Sequence, residues 1–177
     1  MDILFSKNND LIKSAIHKIN QCKVGNGYDY SDVGYNYRIN ALSAILVKSQ
    51  LLRIDDILST KETITNTYKA YLENNSNIKF QKKTENSKHN NWLNVVKFIS
   101  NSMRDEVHKR LTSHGFETKL PFTNATCVKW IKKSYDYKEN KISKNLSQTL
   151  LALPSSINLD VEKIEKISKL IISEVKK

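Results

Sequence analysis

The chain has 177 residues and a mass of 20.4 kDa, enough for one domain, or one small domain with a piece of another. Apolar residues at 39% and charged residues at 27% exclude a disordered tail. No apolar run approaches the ~20 residues of a bilayer span, and residues 1–7 carry no signal-peptide core. A soluble, cytoplasmic protein with no membrane partner is therefore expected. Four glycines and two prolines are too few for an all-β sandwich or barrel. The net charge is +11, but only Arg38, Arg53, Arg104 and Arg110 of the 29 basic residues are arginines. The lysines are scattered, and abundant Lys, Asn and Ile together fit an AT-biased coding sequence. A nucleic-acid partner is accordingly not expected from charge alone. Cys22 and Cys127 form no CxxC pattern, and His17, His89, His108 and His114 show no ligand spacing, so neither a disulfide framework nor a metal site is expected.

Ile3-Leu4-Phe5 reads as the stub of a buried strand. Asn8-Asn9-Asp10 offers helix caps, and Leu11, Ile12, Ala15, Ile16 and Ile19 then follow at helical spacing, predicting an amphipathic helix over residues 10–22. Gly25-Asn26-Gly27 breaks the pattern. Residues 28–38 hold four tyrosines, a glycine and an arginine in an irregular segment, a density of aromatics that asks for something to pack against.

From Asn40, apolar residues recur at three- and four-residue steps to Leu72, with no Gly or Pro between. One continuous helix of that length would run roughly 50 Å, a spine joining two domains. Residues 74–91 are polar, with a short strand at 78–81, and residues 92–99 read as a second strand. Asn101 or Ser102 caps the next helix, whose Met103, Val107 and Leu111 share a face and whose end is marked by Gly115. A strand over 116–120 ends near Pro121, and 123–141 stays ambiguous. A short helix over 144–150, a strand over 151–153 and a final helix from Asp160 complete an α/β or α+β unit of about 85 residues. In the final helix acidic Asp160 and Glu162 open and Lys176 and Lys177 close, as the helix dipole favours.

No nucleophile elbow, P-loop or dinucleotide fingerprint is present. One stretch is specific, however. Asp32-Val33-Gly34-Tyr35-Asn36-Tyr37-Arg38, then Ile39-Asn40-Ala41-Leu42-Ser43-Ala44 and Gln50-Leu51-Leu52-Arg53-Ile54-Asp55, resembles the DegT/DnrJ/EryC1/StrS aminotransferase family. Asn90-Asn91-Trp92-Leu93, residues 115–122 and Leu153-Pro154-Ser155-Ser156 extend the resemblance along nearly the whole chain.

The resemblance implies the C-terminal part of an aspartate-aminotransferase-like fold. Residues 1–38 would be a remnant of the large cofactor domain, 39–74 the spine helix and 75–177 the small domain. It implies pyridoxal phosphate as cofactor, a nucleotide-linked keto sugar as substrate and an amino donor such as glutamate. The lysine that forms the Schiff base would lie upstream of Met1, so no catalytic residue is expected here and the chain alone would be inactive. A second copy, or a complementary N-terminal chain, would supply the rest. By resemblance Asn36 binds the neighbour's cofactor phosphate, Arg38 holds the anionic part of the substrate, and Tyr35 and Tyr37 wall the pocket. Lys119, by resemblance a further substrate-binding residue, stands where the family usually has arginine, Leu120 and Phe122 replace Pro and Trp, and Thr126 falls near a frequent histidine. Lysine does not replace arginine at a bidentate site. Two other readings stay open: a basic module binding nucleic acid or a partner protein, and a remnant without function.

Overall fold

The computed structural model describes residues 4–122, 124–134 and 140–176. The readings at Ile3, over 135–139 and at Lys177 fall outside the described residues. Two compact units are present, Met1–Arg53 and Ile54–Lys177.

In the first unit, helix α1 spans Asn9–Ile19, and its cap is Asn8, whose Oδ1 accepts from the amides of Asp10 and Leu11 at 3.0 and 3.1 Å. Leu4 and Phe5 form no strand and are exposed, Phe5 by 85%. α1 ends three residues earlier than the periodicity predicts. Gln21 and Cys22 both take positive φ, 67° and 52°, which the right-handed helix cannot accommodate. The chain then forms a two-residue hairpin, β1 (Lys23–Val24) with β2 (Asp29–Tyr30), turning through Gly25 at φ +63°. Helix α2 covers Ala41–Leu51, capped by Asn40, whose Oδ1 accepts from Ser43 N–H at 2.8 Å.

The expected spine is not one helix. Leu52 N–H still reaches Lys48 O at 3.0 Å, but Arg53 N–H bonds Gln50 O at 3.1 Å, one residue closer. That tighter turn closes α2. A new helix, α3 (Ile54–Leu72), starts with Asp55 and Asp56 in its first turn, where the dipole favours carboxylates. Without Gly or Pro the break left no mark in the apolar pattern.

The second unit has its own core. Strands β3 (Ile78–Phe80), β4 (Asn94–Phe98) and β5 (Leu150–Leu153) form an antiparallel sheet in that order. Helices α4 (Asn101–Ser113) and α7 (Val161–Val175) pack on each other, and α7 also packs on α3. Tyr68 and Leu72 of α3, Phe98 of β4, Leu111 of α4, Leu151 of β5 and Ile167 of α7 are among the fully buried residues of this one cluster. α4 is capped by Ser100, whose Oγ accepts from Met103 N–H at 3.2 Å, rather than by Asn101 or Ser102. Gly115 at φ +78° follows its end, as predicted. α7 is capped by Asp160.

The strand predicted over 116–120 is reduced to a single bridge, Lys119 with Ala152. Thr118 is buried and tied to His108 Nδ1 at 2.5 Å, and Pro121 has no N–H with which to continue a ladder. Between it and β5 lie a 3-10 turn (Ala125–Cys127) and two short helices, α5 (Lys129–Ser134) and α6 (Lys141–Thr149). The fold is mixed α/β, the second unit being a small α+β domain on an antiparallel sheet.

Candidate functional site

The tyrosine segment is laid across the end of α1. Tyr35 N–H donates to Lys18 O at 2.7 Å and Tyr37 N–H to Ile19 O at 3.2 Å, while Gln21 N–H donates back to Tyr35 O at 3.1 Å. The first two end on carbonyls of the last turn of α1, beyond the regular helical ladder. An antiparallel bridge between Asn20 and Asn36 completes the crossing. Gly34 is required where the strands touch, because a Cβ there would overlap the backbone of Gln21 and Cys22. The sequence shows a glycine at this position but not the reason for it.

Beneath the loop lies Cys22, the one buried residue among the described residues of this unit. Its carbonyl accepts from Ser31 N–H at 2.9 Å and Ser31 Oγ–H at 3.3 Å. With that hydroxyl proton committed, His17 Nε2–H donates to Ser31 Oγ at 2.7 Å. Asp32 accepts from Val33 N–H at 2.7 Å and pairs with Lys18 at 3.5 Å. The amide first, and the ammonium second, hold its carboxyl below the ordinary carboxylate range.

On this frame the Tyr35 and Tyr37 rings stack, centroids 5.1 Å apart and planes 13° from parallel. Strand alternation puts the two rings on one side and Asn36 on the other. Asn36 and Arg38 are exposed, and neither the amide nor the guanidinium makes a hydrogen bond or ion pair among the described residues. The segment thus offers two free amide protons and a planar cationic fork on a braced backbone. Tyr35, Asn36, Tyr37 and Arg38 are brought together. Lys119 belongs to the second unit, where its ammonium lies exposed, 3.9 Å from Glu117.

A further node escaped the sequence reading. Tyr68 Oη donates to Pro154 O at 3.0 Å, and Lys61 Nζ donates to Ser155 O and, at 3.4 Å, to Trp92 O. Ser155 Oγ–H also donates to Trp92 O, at 3.2 Å. Burial draws the Lys61 ammonium below its ordinary range. Lys61 and Tyr68 stand seven residues apart on one face of α3, which could have marked them as a pair. The carbonyls they hold had no signature. Among the described residues no three His, Cys, Asp or Glu converge as metal ligands, and no helix is long and apolar enough to cross a membrane.

The combination of braced tyrosine loop and small α+β unit defines a familiar class. The chain belongs to the DegT/DnrJ/EryC1/StrS aminotransferase family, whose model matches residues 3–172. It is 26% identical over 137 residues to GDP-perosamine synthase of Escherichia coli O157:H7, an alignment covering 77% of this chain and 36% of that protein. Among solved structures it resembles Helicobacter pylori PseC, an aminotransferase involved in the biosynthesis of pseudoaminic acid, with TM-score 0.87 at 15% identity over 97% of this chain and 47% of that one. It also resembles the PLP-form of the sugar aminotransferase Spr1654 from Streptococcus pneumoniae, with TM-score 0.83 at 17% identity over 96% and 46%. The chain therefore spans about a third of that synthase and about half of these solved aminotransferases.

Proposed function

We propose that the chain is the C-terminal portion of a pyridoxal-phosphate-dependent aminotransferase that converts a nucleotide-linked keto sugar to an amino sugar. In this reading residues 1–38 belong to the large cofactor domain and 75–177 form the small one. The chain completes a pocket held by a second copy or by a complementary N-terminal chain, and is inactive alone. The carrying observation is the pair Asn36 and Arg38, exposed and unpaired on a loop whose backbone is fixed by three hydrogen bonds to the end of α1.

The residues present fit the cofactor's phosphate. Asn36 carries two free N–H donors, and such a bond to a charged acceptor contributes about 1.5–3 kcal/mol. When bound, pyridoxal phosphate supplies the electron sink that transamination needs. Arg38 offers a fork matched to the phosphate of the sugar nucleotide, and Lys119 is proposed as a further substrate-binding cation, a point charge rather than a fork. The stacked pair Tyr35 and Tyr37 forms one wall and keeps water from it. Glutamate is the proposed amino donor.

The test mixes the purified chain with pyridoxal phosphate, alone and with a chain carrying the remaining domain. The chain alone is expected to show no borohydride-sensitive absorbance, and the mixture to transaminate. A site-specific signal from the chain alone, or no activity in a mixture shown to associate, would overturn the proposal.

A further inference from the structure

A second site lies wholly within the Ile54–Lys177 unit, between α3 and the connection from β3 to β4. Its floor includes Asn94, the first residue of β4 and only 3% exposed. Asn94 Oδ1 accepts from Thr65 Oγ–H at 2.7 Å, but Asn94 Nδ2 has no acceptor among the described residues. A buried donor left so is costly and asks for a partner from outside. The same pocket is lined by Lys69, Lys83 and Lys88. None of the three is in an ion pair among the described residues, and Glu62 is the one carboxylate lining the pocket. Phe80 and Leu93 add an apolar wall.

We propose that this pocket binds a small molecule carrying a phosphate monoester, with Asn94 Nδ2 and the three ammoniums as donors and Phe80 against its carbon skeleton. Three ammoniums opposed by one carboxylate leave a surplus of two positive charges. A phosphate monoester carries about −1.5 to −2 at neutral pH, whereas a single carboxylate would neutralise half of the surplus. Ammonium groups suit phosphate as point charges. The proposal draws on no residue of the tyrosine loop and stands apart from the aminotransferase reading.

The experiment titrates the full chain at constant ionic strength with inorganic phosphate, glucose 6-phosphate and succinate. Heat and the side-chain amide signal of Asn94 are followed. Saturable 1:1 binding of glucose 6-phosphate, with the Asn94 signal shifting, is expected. Lys83→Ala with Lys88→Ala, both on exposed loop positions, is expected to weaken it roughly ten- to a hundredfold while the melting curve is unchanged. Non-saturating binding, an unmoved amide signal or indifference to the double substitution would each overturn the site. Succinate bound as tightly as the sugar phosphate would overturn the phosphate assignment. Phosphate bound as tightly as glucose 6-phosphate would remove the role given to Phe80.

Discussion

Asn36 pairs with Asn20 in an antiparallel bridge, so the residue that closes α1 also fixes the residue with the free amide. Gly34 makes that crossing feasible, since any Cβ there strikes the Gln21 and Cys22 backbone. Gly34→Ala is therefore expected to lift the loop at a local cost of about 1–3 kcal/mol. Thiol-labelling of Cys22 should accelerate, while the melting of the second unit, which shares no core residue with the loop, stays as it was.

Asn36→Ala removes the two free donors and touches nothing that holds the loop. In the assembled enzyme it is expected to weaken retention of pyridoxal phosphate roughly tenfold or more, read by cofactor release on gel filtration. Arg38→Lys keeps the charge but loses the fork. Its expected effect is a raised KM for the nucleotide sugar with kcat little changed, measured by steady-state kinetics.

Tyr68 donates to Pro154 O from a fully buried position, and burial pushes its hydroxyl well above its ordinary pKa of about 10. In the unfolded chain the phenol ionises near that ordinary value. The contribution to stability is thus complete below about pH 10 and declines as pH rises above it. Denaturation midpoints should fall across that alkaline window in the native chain. Tyr68→Phe should lower stability by about 1 kcal/mol at neutral pH and flatten the alkaline decline.

Asp160 behaves in the opposite sense. Its hydrogen bonds from the Lys163 ammonium and amide, both at 2.8 Å, hold its carboxyl below the ordinary range. The cap's charge-dependent contribution is present above about pH 4 and fades as pH falls through the depressed value. Asp160→Asn keeps the capping oxygen and should remove that acid dependence, while Asp160→Ala should lower the melting temperature at neutral pH as well. Thermal melts between pH 2 and 7 would show both.

In the second unit much of the fold was legible, because caps and periodicity act locally. Gly115, the final helix opening at Asp160 and β4 inside residues 92–99 all came from short-range signals. The break after Leu51 did not, since it arises from a one-residue tightening of hydrogen bonds that apolar spacing cannot report. The strand over 116–120 failed for a tertiary reason: Thr118 is drawn inward to His108, which leaves one bridge at Lys119. At the site, the residue types of the tyrosine loop were readable, whereas its brace was not. Gln21 and Cys22 take left-handed conformations that their identities do not advertise. Asn94 was read only as part of a strand, because an unpartnered amide proton appears only once the neighbours are in place.

The two free thiols are distributed one to each unit, Cys22 sealed and Cys127 open to solvent. The protein thereby carries a built-in stopwatch. An alkylating reagent modifies one sulfur at once and the other only when the aromatic loop lets go of the helix beneath it. The lag between the two events clocks that release without any added label.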